Sequence, residues 1–100
     1  MLYNIKMIRK ELKREIEKAL MALEVGFSGS DTNLEQPADF KFGDYSTNVA
    51  MVVAKTAGLN PKDLAEKIAE QIRLNNNPNI KDVQVAGGGF VNFYLSEKFF

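Results

Sequence analysis

One hundred residues with no cysteine, no histidine, and thirteen basic against thirteen acidic side chains make a chain of one-domain size with no net charge. That composition excludes a disulfide framework and thiolate metal sites, removes the commonest general base and metal ligand, and argues against a free-standing, strongly basic nucleic-acid binder. The apolar stretches fall short of the ~20 residues needed to cross a bilayer and the N-terminal segment is too charged for a secretory signal, so the chain is expected to be cytoplasmic with no membrane partner.

Ile5, Ile8, Leu12, Ile16, Leu20 and Leu23 recur every three or four residues, and this spacing predicts an amphipathic helix from about Ile5 to Glu24. Lys6, Lys10, Arg14 and Lys18 fall at four-residue intervals on its outer side, among Glu11, Glu15 and Glu17. Such a stripe either contacts phosphates or is a solvated face with weak ion pairs, the second being the commoner case. Gly26, Ser28, Gly29, Ser30 and Asp31 mark a loop, after which Leu34 to Phe40 is expected as a short strand. Pro37 cannot donate to a ladder, so that strand is expected to lie at a sheet edge or to be irregular.

Gly43 breaks the chain, and Asp44 or Ser46 is expected to cap a second helix running through Val49, Val53 and Ala57 to Gly58, a natural left-handed stop. Asn60-Pro61-Lys62-Asp63 offers an N-cap, a proline in the first helical position and an acidic residue in the first turn of a third helix. Leu64, Ala65, Ile68, Ala69 and Ile72 form its buried stripe, and the Asn75-Asn76-Asn77-Pro78-Asn79 cluster ends it.

Two alternating stretches, Val83 to Ala86 and Phe90 to Leu95, flank Gly87-Gly88-Gly89 and predict a β-hairpin. A three-residue loop pairs Ala86 with Phe90, Val85 with Val91, Gln84 with Asn92, Val83 with Phe93 and Asp82 with Tyr94. Val83, Val85, Val91, Phe93 and Leu95 then share the core face, and Gln84, Phe90, Asn92 and Tyr94 the other. Two rings around two side-chain amides suit a recognition surface, the bland alternative being that a helix or another domain covers them. The fold class is α+β: three helices packed on one face of a small antiparallel sheet ending in a β-hairpin, one domain over residues 1–100.

Three co-linear stretches, Phe42-Gly43-Asp44-Tyr45-Ser46-Thr47-Asn48-Val49-Ala50-Met51, Ala54-Lys55-Thr56-Ala57-Gly58-Leu59-Asn60-Pro61 and Val85-Ala86-Gly87-Gly88-Gly89-Phe90-Val91-Asn92-Phe93, resemble the N-terminal additional domain of arginyl-tRNA synthetase. Gly88 stands where that family usually has proline, a departure that bears on the stiffness of the turn. The resemblance implies a tRNA-binding part of a longer arginine-tRNA ligase, with tRNA(Arg) and the downstream catalytic domain as partners. It places the catalytic and anticodon-binding domains, and ATP with Mg, outside residues 1–100, which are expected to hold no catalytic site and no cofactor. The terminal pair Phe99-Phe100, expected to be exposed, fits a chain continuing beyond it.

In that family an aromatic residue and an amide near the hairpin engage a D-loop base at the outer corner of tRNA, and Phe90 and Asn92 occupy the matching positions. Gln84 and Tyr94, on the same strand face, complete the candidate tRNA-binding set, and Lys6, Lys10, Arg14 and Lys18 are the candidate phosphate contacts if the stripe is not simply solvated. The physics of single-stranded RNA recognition agrees, because splayed bases are stacked on rings and read by side-chain hydrogen bonds. The competing reading is a protein-protein or interdomain interaction module using the same aromatic face. A phosphate-cradling role for the glycines is disfavoured because they join two strands rather than a strand and a helix.

Overall fold

The computed structural model describes residues 5–96, without the side chains of residues 5 and 40. The expectations for Phe99, Phe100 and the Ile5 side chain therefore lie outside the described residues. The heptad-like apolar spacing folds Ile5–Ala22 as helix α1, burying Ile8, Leu12, Ile16 and Leu20. It stops at Ala22 because Glu24 turns left-handed (φ 57°), with the N–H groups of Glu24 and Val25 donating to the carbonyls of Met21 and Leu20, each at 3.0 Å. That pairing satisfies two of the carbonyls a helix end leaves open. Helices α2 (Val49–Ala57) and α3 (Pro61–Asn75) follow, separated by Gly58 at φ 69° and started by Asn60, whose Oδ1 accepts from the Asp63 N–H at 3.0 Å. Among the described residues no helix is long and apolar enough to cross a membrane.

Strands β1 (Tyr45–Thr47), β2 (Ile80–Ala86) and β3 (Phe90–Leu95) form one antiparallel sheet in the order β1-β3-β2. The hairpin register agrees with the sequence reading at every predicted pair, from Ala86 with Phe90 to Asp82 with Tyr94. Val49, Val53, Ile68, Val83, Val91 and Phe93 meet in the core between the helices and one sheet face, while Val85 is only half-buried at its margin. The α+β layering of three helices against a small sheet is thus the fold.

Three local expectations are corrected. The strand expected over Leu34 to Phe40 is reduced to one bridge, in which Glu35 and Ser46 exchange backbone hydrogen bonds of 2.9 and 2.8 Å. Pro37 blocks continuation, and the third strand lies instead at Tyr45–Thr47, too short for alternation to register. Neither Asp44 nor Ser46 caps α2. Asn48 holds the N-cap position without a side-chain bond, and Thr47 Oγ1 accepts from the Val49 N–H at 3.1 Å. Asp44 serves the sheet: its N–H donates to the Phe93 carbonyl and its Oδ2 accepts from the Leu95 N–H, both at 2.8 Å.

The third correction concerns α1. Glu15, assigned to the wet side with Glu11 and Glu17, is 6% exposed. Its carboxylate accepts from Asn75 Nδ2 at 2.9 Å and Asn77 Nδ2 at 3.1 Å, while Glu11 accepts from Asn79 Nδ2 at 3.0 Å. The asparagine cluster therefore does more than end α3: it fastens α1 to the turn that enters β2. Arg73, exposed as expected, donates to the Val83 carbonyl and joins α3 to the same strand.

Gly43 sits at φ 92°, where a Cβ would lie 2.6 Å from the Phe93 carbonyl oxygen. Backbone meets backbone there, so a side chain has no room and the conformation is strained for any L residue. Gly43→Ala is expected to lower the melting temperature and to separate β1 from β3. Phe93, fully enclosed, should cost about 3 to 5 kcal/mol on truncation to alanine. Urea unfolding of both variants checks this, and a wild-type curve for Phe93→Ala would mean that the sheet faces are reversed.

Candidate nucleic-acid interface

The site grows from strand alternation. Because Val91, Phe93 and Leu95 enter the core, Phe90, Asn92 and Tyr94 occupy the opposite face of the central strand. Pairing on both sides sets Ser46 of β1 and Gln84 of β2 across from Asn92. The four hairpin residues then take different parts. Phe90 is 44% exposed, large for a ring. Asn92 is 3% exposed, so its expected openness is corrected: Ser46 lies beside it and the hydroxyl donates to its Oδ1 at 2.7 Å. Its Nδ2 group has no acceptor among the described residues.

Gln84 is exposed and donates to Asp82 Oδ2 at 2.8 Å, and it is not among the residues that line the cleft beside Asn92. Tyr94 is half-buried, and its hydroxyl donates to the Lys41 carbonyl at 2.6 Å. That contact braces the 3-10 turn Phe40–Phe42, whose last residue is a second ring at 44% exposure. The Lys41 ammonium lies 5.3 Å from the centre of the Phe42 ring and 3.8 Å from Asp39. Tyr94 is thus a support for the neighbouring turn.

Phe90 and Phe42 border one open cleft of about 380 Å³, with Pro37 and Ala86 as further apolar lining and Glu35, Ser46 and Asn92 as its polar members. That volume lies within the ~300–1,000 Å³ of ligand pockets, and the combination of apolar walls with a few convergent polar groups is their usual construction. A planar heteroaromatic ring can stack on the exposed rings while the buried amide meets its edge. Phe42, Pro37, Ser46 and Glu35 were not among the site residues expected from the sequence, because their convergence depends on the Glu35 to Ser46 bridge. The only trace in the sequence is an aromatic residue placed directly before Gly43.

The basic stripe lies elsewhere, on α1. Lys6, Lys10, Arg14 and Lys18 are all exposed, and none forms an ion pair among the described residues. Arg9 of this helix donates to the Leu34 carbonyl at 3.0 Å, with its guanidinium 5.5 Å from the Tyr45 ring centre.

The Ser46 to Asn92 bond is the polar keystone of the cleft. Ser46→Ala leaves the Asn92 acceptor without its partner in a buried position, which is expected to cost about 1 to 3 kcal/mol of stability. Thermal unfolding measures it, and a change below about 0.5 kcal/mol would show that solvent already satisfies Asn92.

A family model described as the arginyl tRNA synthetase N-terminal domain matches residues 6–95. Among curated relatives, an arginine–tRNA ligase of Chlorobium phaeobacteroides is 38% identical over 92 residues, covering 92% of this chain and 16% of the relative. The arginine–tRNA ligase of Bartonella henselae is 41% identical over 96 residues, covering 90% of this chain and 16% of the relative. That of Staphylococcus aureus strain JH9 is 38% identical over 90 residues, covering 90% of this chain and 15% of the relative. The chain therefore spans about one-sixth of the length of these relatives.

Proposed function

The chain belongs to the arginyl-tRNA synthetase N-terminal domain family, and on that premise we propose that it binds tRNA(Arg) through the β3 cleft in support of ATP-dependent arginylation by a full-length arginine–tRNA ligase. The observation that carries the reading is an exposed Phe90 ring beside the buried Asn92 amide, on the face of β3 turned away from the helices. A D-loop base unstacked at the outer corner of the tRNA inserts against Phe90, with Phe42 across the cleft. Asn92 reads its edge. Activation of arginine, with ATP and Mg, belongs to the remainder of the enzyme, and the partners of this chain are the tRNA and that catalytic domain.

The magnitudes agree with an auxiliary role. One stacked base contributes about 1 to 3 kcal/mol. Such an increment adjusts affinity and pose for a tRNA held at other sites and is too small for a tight complex by itself. Lys6, Lys10, Arg14 and Lys18 add phosphate attraction without sequence information, since backbone contacts position a nucleic acid while base contacts specify it. Gln84 is engaged by Asp82 and does not line the cleft, and Tyr94 acts through the turn it braces, so their contribution to binding is secondary to that of Phe90 and Asn92.

In a full-length enzyme carrying this domain, Phe90→Ala should weaken tRNA binding by about five- to 150-fold while leaving folding and arginine activation unchanged. Asn92→Ala should reduce discrimination at the contacted base more than it reduces affinity. Filter binding, charging kinetics and melting curves separate these effects. Wild-type tRNA affinity in Phe90→Ala, with disturbed assembly of the enzyme's domains, would instead favour the interaction-module reading of the same face.

Removing a phosphate contact leaves a different mark. Neutralising Arg14 to alanine should weaken binding to every tRNA alike and make log K less steep in log salt by about 0.7 to 0.9 if it meets one phosphate. An unchanged slope would assign the stripe to solvent.

A further inference from the structure

Behind the stacking cleft lies a smaller annex of about 30 Å³, lined by Asn33, Glu35, Ser46, Thr47, Asn48 and Phe90. It shares Glu35, Ser46 and Phe90 with the cleft, so the two spaces adjoin. Its volume suits a single small group about the size of a water molecule and excludes a ring. The register explains who lines it: Thr47 is the last β1 residue paired to β3, opposite Val91, and one step further along both strands brings Asn48 beside Phe90.

Asn48 carries the anomaly. Its Oδ1 is buried and accepts no hydrogen bond. It stands at the N-cap position of α2, where asparagine normally accepts from the helix, yet the helix is served by Thr47 Oγ1 and the Asn48 side chain makes no cap bond. A buried acceptor left unpaired opposes folding, and few are tolerated in a native domain without a reason. The annex also carries the Glu35 carboxylate, which only accepts. A phosphate is repelled there. A donor is not.

We propose that Asn48 is a further specificity-determining residue: its Oδ1 accepts a hydrogen bond from an uncharged donor on the nucleotide seated in the cleft, either an exocyclic amino group of the base or its ribose 2′-hydroxyl. This rests on the cleft being the tRNA site. The cleft then makes two different demands, a flat ring against Phe90 and a donor reaching the annex, so shape and hydrogen-bonding pattern are tested together. The unpaired acceptor of the free domain is completed by the ligand.

The experiment compares Asn48→Ala, Phe90→Ala and wild type for melting temperature and for binding of a tRNA(Arg) transcript. Binding is repeated with transcripts carrying single 2′-deoxy or des-amino nucleotides through the D-loop. Asn48→Ala should melt at or above the wild-type temperature and bind about five- to 20-fold more weakly. One of the two kinds of RNA replacement should weaken wild type but not Asn48→Ala, and which kind does so identifies the donor as hydroxyl or amine. Wild-type affinity in Asn48→Ala alongside weakened Phe90→Ala would overturn the proposal and leave the annex to a water molecule. A melting temperature well below wild type would likewise overturn it, by giving the side chain a structural role. Wild-type affinity in Phe90→Ala would bring down the cleft reading itself, a separate result.

Discussion

Strand β3 is paired along both edges, and the rest of the domain depends on that. A strand held by β1 on one side and β2 on the other cannot slip by one residue without exchanging every side chain between faces. With Val91, Phe93 and Leu95 sealed against the helices, Phe90 and Asn92 are committed to the outer face. The close approach of Gly43 to the Phe93 carbonyl and the two bonds from Asp44 hold β1 in register at the same point. The precision of the outer face is thus inherited from the packing of the inner one.

The outer face is nevertheless unlike an ordinary solvated sheet surface. Asn92 is as buried as many core residues, although nothing apolar requires it to be there. The segment between α1 and β1 makes this possible by folding back through the Glu35 to Ser46 bridge and the turn at Phe40–Phe42, braced by Tyr94. A mobile surface amide would pay rotamer entropy on each encounter, whereas one already oriented by Ser46 meets a ligand at lower cost.

The sequence made the hairpin and its register legible because a run of three glycines between two alternating stretches allows few alternatives. Helix α3 was equally plain, since Asn60, Pro61 and Asp63 each act locally at its start. What escaped was non-local. β1 has three residues and lies against a helix start, so its composition mimics capping, and its strand character exists only through pairing with β3. Glu15 looks like a surface acid until Asn75 and Asn77, distant in sequence, enclose it. Phe90 and Asn92 were accessible by alternation and by resemblance. Phe42, Ser46 and Asn48 needed the fold, because a cleft wall and an unpaired acceptor are properties of neighbours rather than of residue types.

The claim on which the account turns is that RNA meets the outer face of β3 and not the helical side. Backbone amide NMR of the isotopically labelled chain during titration with a tRNA(Arg) transcript tests it most directly. The account predicts the largest shift changes at Phe42, Ser46, Phe90 and Asn92, with the buried stripe of α3 from Leu64 to Ile72 undisturbed. Changes concentrated on α2 and α3, with Phe90 and Asn92 silent at saturating tRNA, would contradict it.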